Sequence, residues 1–339
     1  MPAAAWSRSI VSLAAPCRRR LRSALAASLV LVPWLISSAP AQDFPTHLVR
    51  IVVAFPAGGP TDFVARLLAD KLKFLLGQSV VVENKPGANG TIGAEYVARG
   101  EADGHLLFLT TVGAVAVTPH LVARLPYDPT KDFAPVTLVV RNTTILVVKT
   151  ESQISSAREL AALAQRKPGV VPFASTGSGS MTHLALELFQ SAAGVKFLHV
   201  PYRGAAPALT DLLGGQVQAM FADAPVLMSQ ITGGALRALG AASARRNAAL
   251  PDVPTLAELG FADTVADNWY GLLAPARTPS AVIAKLHDAV EAAIPDVRDK
   301  LVASGAVPAP TSSAEFGKFL ADELARWGRV VRERDIKAD

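Results

Sequence analysis

Apolar and polar residues along the chain follow two periods, one typical of buried strands and one typical of helices. Residues 48–55 (LVRIVVAF) form an almost unbroken apolar run, which predicts a strand. Across residues 61–76 the apolar positions recur every three or four residues and Gly77 follows them, so this segment is predicted as a helix. The further predicted strands are 79–83, 105–110, 170–175, 196–200, 217–222 and 236–241, and the further predicted helices are 92–99, 181–193 and 205–213.

This succession of strands and helices favours an α/β fold whose sheets are mainly parallel and flanked by helices. Two extended stretches, 136–148 and 267–274, are placed where the chain would cross between two lobes. If both cross, residues 144–266 form lobe 2, and residues 43–143 together with 267–339 form lobe 1. A ligand cleft is then predicted between the lobes.

The C-terminal segment supports this division. Ser312 and Glu315 have the spacing of a capping box, and an apolar stripe at helical spacing follows them. Such a helix needs a surface to pack on, and lobe 1 offers one. The stripe consists of Phe316, Phe319, Leu320, Trp327 and Val331.

The N-terminus has the pattern of a secretory signal peptide over residues 1–41. Arginines are concentrated at 18–22, a short apolar run occupies 24–36, and small residues stand at 39 and 41 (APA). Cleavage is expected after Ala41, with the mature chain beginning at Gln42. The apolar run is too short for a membrane-spanning helix, so the segment is interpreted as an export signal rather than an anchor.

Composition narrows the function further. The chain has 339 residues, half of them hydrophobic, and a formal charge of +5. Five arginines and no acidic residue lie within 1–41, so the remainder is neutral and gives no argument for nucleic acid. The one cysteine, Cys17, lies in the predicted signal, and the six histidines lack metal-ligand spacing. No metal and no cofactor are therefore predicted.

Two loops have the composition of anion-binding sites at helix N-termini. In parallel α/β sheets, ligands bind beyond the carboxyl ends of the strands, where these helix N-termini lie. The first is 55–62 (FPAGGPTD), in which Gly58 lets the backbone approach a ligand and Thr61 or Asp62 can cap the helix. It supplies backbone N–H groups without lysine or arginine. The alternative interpretation is an ordinary glycine-rich turn with a good cap.

The second loop is 175–183 (STGSGSMTH), which supplies several hydroxyls in a short span. It lacks the lysine of a phosphate-binding loop, and glycine does not stand at both required positions around Ser178 for a nucleophile elbow. The loop therefore suits recognition of a carboxylate by neutral donors, or is simply a serine-rich cap.

Two further strand ends are expected to face the same cleft. Tyr202 could form a wall, and Arg203 could pair with a second carboxylate or lie on the surface. Asp223 could accept a hydrogen bond from a ligand amine or hydroxyl, or cap a helix.

The chain resembles the solute-receptor proteins of tripartite tricarboxylate transporters, the Bug family. The matching stretches run through nearly all of the chain after the signal, and they are FPAGGPTDFVAR (55–66), VVENKPGANGTIGAEYVA (81–98), LPYDPTKDFAPVTLV (125–139), FASTGSGSMTHLALELF (173–189), HVPYRGAAPALTDLLGGQVQAMF (199–221), PDVPTLAELG (251–260) and WYGLLAPARTP (269–279). The resemblance implies a periplasmic protein with the two-lobed type II binding-protein fold.

The resemblance also implies that the lobes close on a small organic acid. Carried onto this chain, the ligand-binding residues are Phe55, Ala57, Gly58, Thr61, Asp62, Ser175, Thr176, Ser180, His183, Tyr202 and Asp223. His105 and Thr118 stand where the family more often has Tyr and Asn.

The leading hypothesis is a monomeric binding protein, not an enzyme, that delivers an organic acid or amino acid to membrane permease subunits. A sensory receptor with the same site and a different partner is the first alternative. The second is a secreted serine hydrolase that uses Ser180 or Ser178.

Overall fold

The computed structural model of the protein describes residues 44–334 and 336–337. The predicted signal peptide, 1–41, and its cleavage site lie outside the described residues. The strands of the described part are β1 (Val49–Val53), β2 (Val80–Asn84), β3 (Leu106–Thr111), β4 (Phe133–Asn142), β5 (Thr144–Lys149), β6 (Pro172–Ser175), β7 (Leu198–Pro201), β8 (Ala219–Asp223), β9 (Leu236–Ala241), β10 (Asn268–Pro275) and β11 (Ala306–Pro308).

The strands form two sheets. The first sheet has the order β11-β4-β10-β3-β1-β2, and the second has the order β7-β6-β8-β5-β9. Strand β1 pairs in parallel with β2 and β3, and β6 pairs in parallel with β7 and β8. The pairings that involve β4, β5 and β10 are antiparallel. Each sheet is thus mixed, which refines the prediction of mainly parallel sheets, because the strands next to the crossings run against their neighbours.

Helices flank both sheets, which confirms the α/β prediction. They are α1 (Pro60–Leu76), α2 (Thr91–Ala98), α3 (Thr118–Leu121), α4 (Ala157–Arg166), α5 (Met181–Ala193), α6 (Ala205–Leu213), α7 (Ala224–Thr232), α8 (Ser280–Ala303) and α9 (Ser313–Glu333), with a 3₁₀ turn at Ala88–Gly90 and a π-helical turn at Gly113–Val117. Helix α1 buries Val64, Leu68 and Leu72 under the first sheet, as its periodicity predicts.

The chain passes from the first sheet to the second at Thr143, between β4 and β5, and returns between β9 and β10. Residues Asp43–Asp339 form one compact unit by their contacts, with both sheets inside it. The proposed lobe limits, 143/144 and 266/267, lie in the two connections. They remain a prediction, because membership of a sheet does not by itself delimit a lobe.

Helix α9 packs on the first sheet, and a buried carboxylate fixes it there. Ser312 and Glu315 form the predicted capping box. The indole Nε1 atoms of Trp269, on β10, and Trp327, on α9, donate to Oε2 of Glu323 at 2.9 and 3.0 Å. A buried carboxylate with two such donors is satisfied, so it joins helix and strand instead of destabilising the core.

Candidate ligand-binding site

The loop between β1 and α1 is held by the buried carboxylate of Asp62. It accepts hydrogen bonds from the backbone N of Gly58 (3.0 Å) and from Nε and Nη2 of Arg66 (both 2.9 Å). Asn84 Nδ2 donates to the same carboxylate (2.9 Å) and to the carbonyl oxygen of Phe55 (3.0 Å). Burial raises the pKa of Asp62, but the hydrogen bonds from Arg66, Gly58 and Asn84 outweigh it and hold the pKa below its usual value. Asp62 is therefore ionised, and it orders the loop.

The loop between β6 and α5 is a chain of hydroxyl hydrogen bonds centred on Thr182. Its Oγ1 accepts from the backbone N of Thr176 (2.8 Å) and lies 2.9 Å from both Thr176 Oγ1 and Ser180 Oγ. Ser180 caps α5, since its Oγ accepts from the backbone N of His183 at 3.2 Å. These bonds fix the hydroxyls in place before any ligand arrives.

Two stacked imidazoles support this loop from behind. The rings of His183 and His199 are nearly parallel, with centroids 4.1 Å apart. His183 Nδ1 accepts from the backbone N of Gly179 at 3.1 Å, so its proton resides on Nε2, which lies 3.6 Å from Glu187 Oε1. Ser175 Oγ lies 2.7 Å from Nε2 of His199. Ser175 and His183 thus position the loop through hydrogen bonds to residues next to the second sheet.

A cavity of about 40 Å³, called the inner pocket, lies where four helices begin. Its wall contains residues from the first turns or N-caps of α1, α5, α6 and α7. The lining residues are Phe55, Pro56, Gly59, Pro60, Thr61, Asn89, Thr111, Thr176, Ser180, Met181, Thr182, Ala205, Ala206, Asp223 and Asn268. No lysine or arginine is among them. The groups of this wall that favour an anion are therefore the dipoles of the four helix N-termini and neutral donors.

Asp223 forms one end of the inner pocket and is 4% exposed. Its Oδ2 accepts from Asn268 Nδ2 (2.7 Å) and from the Tyr270 hydroxyl, and its Oδ1 accepts from Thr144 Oγ1 (3.4 Å). Burial raises the pKa of Asp223 to about 6, although these three hydrogen bonds oppose the shift. The pocket therefore holds one carboxyl group that changes charge within two pH units of neutrality.

A second and larger cavity of about 440 Å³, called the outer cleft, adjoins the inner pocket. The two share Phe55, Pro56, Asn89 and Thr176 as common walls. On one side the outer cleft is bounded by residues 86–91 and 118–122, which belong to loops and short helices next to the first sheet, and on the other by 176–179 and 201–204, next to the second. Tyr202 lies in its wall and donates its hydroxyl to Asp211 Oδ2 at 2.6 Å.

Comparison with known proteins identifies the family. The profile of the tripartite tricarboxylate transporter family receptor (TctC) matches residues 64–336. The chain belongs to this receptor family. Protein BugT of Bordetella pertussis is 38% identical over 300 residues, which are 88% of this chain and 92% of BugT.

Solved structures of periplasmic binding proteins share the fold. The adipate-bound protein Rpa4515 of R. palustris is 33% identical, with a TM-score of 0.84 over 87% of this chain and 99% of its own. Malate-bound MatC of Rhodopseudomonas palustris is 34% identical, with a TM-score of 0.81 over 85% of this chain and all of its own. Among the described residues of the receptor, no helix combines the length and the apolar character needed to cross a membrane.

The receptor brings six of the predicted site residues to the two cavities. Five of them line the inner pocket, and Tyr202 lines the outer cleft. The five are Phe55, Thr61, Thr176, Ser180 and Asp223. The other five predicted residues lie outside both linings, and they are Ala57, Gly58, Asp62, Ser175 and His183. Of these, Asp62, Ser175 and His183 hold the loops in place through hydrogen bonds.

Several residues that line the inner pocket of the receptor were not predicted from the sequence. Ala205 and Ala206 carry no functional side chain, and only their position after a strand and a glycine, at the start of a helix, marks them. Asn268 begins β10, and its pairing with Asp223 joins segments 45 residues apart. Asn89 lies in the turn 85–90, which the sequence analysis did not connect with the cleft.

The histidines lack metal-ligand spacing in the sequence, but four of them stack in two pairs in the structure. Besides the pair behind the second loop, His47 and His105 stack with centroids 3.6 Å apart, and Asp103 Oδ2 lies 3.1 Å from His105 Nδ1. These three side chains have donor atoms suited to a metal, but the backbone N of Thr46 donates to His105 Nε2 at 3.1 Å. This nitrogen is therefore already used to hold the N-terminal segment. A second group of metal-type donors, His287, Asp288 and Glu291, is more exposed.

Proposed function

We propose that the receptor binds a small organic acid and that one carboxylate of this acid occupies the inner pocket. The observation that supports this most is the meeting of four helix N-termini in a cavity without lysine or arginine. Each helix N-terminus contributes the equivalent of about half a positive charge. The hydroxyls of Thr61, Thr176 and Ser180 add neutral donors beside them.

The relatives support the same ligand class. One of the solved relatives holds adipate and another holds malate, and both ligands are carboxylates. Asp223 sits at one end of the pocket and favours a ligand whose neighbouring group is a hydrogen-bond donor, such as a hydroxyl or an ammonium. Hydroxy acids and amino acids therefore remain within the proposed class.

Binding is proposed to involve closure of two lobes, 43–143 with 267–339 and 144–266. The inner pocket takes Phe55 and Thr61 from loops of the first sheet, and Thr176 and Ser180 from loops of the second. A ligand in this position contacts both sides at once. It would therefore favour the closed arrangement by its difference in affinity for the closed and open states.

The proposed partner is the membrane permease of a tripartite transporter, and the proposed compartment is the periplasm, reached through the signal at 1–41. The family description supports the partner, and the periplasmic relatives support the compartment. A monomeric receptor that carries its ligand to the permease fits both. A sensory role would use the same site with a different partner.

We also infer that Ser180 is not the nucleophile of a serine hydrolase. The hydroxyl of Ser180 is bonded to Thr182 Oγ1 and to the backbone N of His183. The unprotonated nitrogen of His183, Nδ1, would have to act as the base, but it already accepts a hydrogen bond from the backbone N of Gly179. A catalytic serine needs an imidazole within hydrogen-bond reach of its own oxygen, which this arrangement does not provide for Ser180.

A thermal-shift screen tests the proposal. The exported protein, expressed from the full-length sequence, is heated with mono-, di- and tricarboxylates and amino acids, and with their neutral amides as controls. A ligand that binds only the folded state must raise the melting temperature. We expect increases for acids and none for the amides. No increase across the panel, with the protein shown to be folded, would contradict the proposed function.

A further inference from the structure

Asp223 is the one acidic or basic side chain among the described residues that line the inner pocket. It is 4% exposed, and the pocket beside it has a volume of about 40 Å³. A buried water needs roughly 10–15 Å³ of cavity, so a ligand carboxylate leaves little room for water in this space. A carboxylate bound there must lie close to Asp223, with little solvent to screen the two groups from each other.

The groups that face Asp223 from the neighbouring elements are neutral. Thr144 on β5, and Asn268 and Tyr270 on β10, donate hydrogen bonds to its carboxylate. Burial and the charge of Asp223 hold the pKa of Tyr270 well above its usual value, so this hydroxyl stays protonated. Thr61 of α1 lines the same pocket, and the first turn of α7 contains no acid.

One further acid, Asp267, lies in the connection before β10 and is influenced by Asp223. Burial raises the pKa of Asp267 to about 6, and the charge of Asp223 adds to this rise. Arg326 and Arg141 oppose it, so Asp267 has cations that partly compensate its charge. Within the described part of the chain, no cation compensates Asp223 in this way. Asp267 is also absent from the lining of the inner pocket, so a ligand there would meet Asp223 first.

A ligand carboxylate in the inner pocket would bring two like charges together without a cation between them. Burial already raises the pKa of Asp223 to about 6 before a ligand binds. A second carboxylate raises it further, because the neutral form of Asp223 removes the repulsion between the two groups. At pH 7 ligand binding therefore converts Asp223 from a mostly ionised to a mostly protonated carboxyl group.

The hydrogen bonds of Asp223 indicate which oxygen takes the proton. Oδ2 accepts from Asn268 at 2.7 Å and from the hydroxyl of Tyr270, whereas Oδ1 has only the hydroxyl of Thr144, at 3.4 Å. A proton on Oδ1 therefore disturbs the weakest of the three bonds. The resulting O–H group can donate to an oxygen of the ligand carboxylate, which replaces a repulsion by a charge-assisted hydrogen bond.

We propose that the inner pocket binds a ligand carboxylate together with one proton, which Asp223 takes up from the solvent as the ligand enters. This inference rests on the proposed function, because it requires a carboxylate in the inner pocket. It makes the affinity of the receptor dependent on pH, with tighter binding in more acidic medium. It also narrows the ligand class to acids without an ammonium group, because such a cation beside Asp223 would keep it ionised.

Calorimetric titration in two buffers counts the protons. The probe is the acid with the largest thermal shift among lactate, succinate, malate and adipate, or the best amine-free acid of the wider panel if none of these binds. Aliphatic carboxylic acids are ionised at pH 7 and above, so the probe itself takes up no proton. Titrations into the exported protein in Pipes and in imidazole, which differ in ionisation enthalpy, give the number of protons bound per ligand.

We expect the unaltered receptor to take up more than about half a proton per ligand at pH 7. The dissociation constant should then rise about five- to tenfold between pH 7 and pH 8. Asp223→Asn should take up almost no proton and should bind equally at both pH values, because the amide stands in for the protonated carboxyl group. The matched variant Asp267→Asn removes the other acid with a raised pKa and should keep most of the uptake.

Infrared difference spectroscopy on the unaltered receptor gives a second measurement that needs no variant. Binding of the probe, labelled with ¹³C at its carboxylates, should produce the carbonyl band of an unlabelled protonated carboxylic acid. In Asp223→Asn, if it folds, this band should be missing.

Four results would overturn the inference while leaving the proposed function intact. They are binding of the probe without proton uptake and without the carbonyl band, uptake that persists in Asp223→Asn, uptake that is lost in Asp267→Asn alone, and a panel in which only amino acids bind. If no acid of any kind binds, the proposed function fails as well. The two failures are therefore distinguishable.

Discussion

The hydroxyl of Tyr270, on β10 of the first sheet, donates a hydrogen bond to the carboxylate of Asp223, at the end of β8 in the second sheet. Asn268 Nδ2 donates to the same oxygen at 2.7 Å. The end of the inner pocket is thus a polar contact between the two sheets. Its strength depends on the charge of one carboxyl group.

Stability should depend on pH through Asp223. Burial raises its pKa to about 6, above the unfolded value of about 3.9. Between these values the folded state binds more protons than the unfolded state, so the free energy of unfolding should fall as pH rises from about 4 to 6. Burial also raises the pKa of Asp267 to about 6, which adds to the same trend.

Urea unfolding of the receptor and of Asp223→Asn, at several pH values, isolates this contribution. The difference in unfolding free energy between the two proteins should change across pH 4 to 6 and stay constant above pH 7. Asp62 titrates in both proteins and cancels in the difference, whereas Asp267 contributes to it, because the charge of Asp223 helps to raise the pKa of Asp267. A difference that is independent of pH would show that Asp223 keeps an ordinary pKa when buried.

Thr61→Val should weaken carboxylate binding by about 1–3 kcal/mol, because it removes a hydroxyl donor from the inner pocket and keeps the shape of the side chain. Isothermal titration with the best acid from the screen measures the effect. Thr264→Val is the control, since Thr264 is also buried but its hydroxyl donates to the Phe261 carbonyl oxygen away from the pocket lining. Unchanged affinity in Thr61→Val would remove Thr61 from the site.

Ser180→Ala should lose both affinity and stability. Ser180 lines the inner pocket and also caps α5, and loss of an N-cap costs about 1 kcal/mol. Ser156→Ala separates the two effects, because Ser156 caps α4 by the same bond at the same length, 3.2 Å, outside both cavities. Similar losses of stability with weaker binding in Ser180→Ala alone are expected. Equal affinities in the two variants would mean that Ser180 only caps its helix.

Gly179→Ala should weaken binding by keeping the cleft from closing. Gly179 has a φ of +76°, and an added Cβ would lie 2.9 Å from Leu121 Cδ1 on the opposite side of the outer cleft. Gly234 has the same φ but no atom within 4 Å of such a Cβ, so Gly234→Ala carries the backbone strain alone. We expect similar melting temperatures and lower ligand affinity only for Gly179→Ala. Matching affinities would show that this contact does not limit closure.

The sequence predicted the fold well where the signals are local. Helices 181–193 and 205–213 and strand 236–241 have the predicted bounds. The strand predicted at 170–175 begins instead at Pro172, because Val170 is 63% exposed in the turn before it. An apolar side chain does not by itself show where sheet pairing begins.

The site was harder to predict, because half of its chemistry is carried by the backbone. Ala205 and Ala206 contribute the backbone of the first turn of α6, and their side chains carry no functional group that would mark them as site residues in the sequence. Conversely, Asp62 and His183 have polar side chains and belong to the two site loops, but these side chains bind backbone N–H groups of the loops and do not line the cavities. Such partners are distant in sequence or depend on loop geometry, so motif spacing does not reveal them.

The antiparallel direction of β10 has a mechanical consequence. The parallel strands of an α/β sheet have their carboxyl ends at the edge that faces the ligand. Strand β10 runs in the opposite direction, so its first residue, Asn268, lies at that edge. The connection that returns the chain from the second sheet therefore ends in the pocket wall. A ligand that contacts Asn268 therefore contacts the first residue of the strand that follows the connection. Binding in the pocket can then affect the conformation of this connection directly, with no other helix or strand between them.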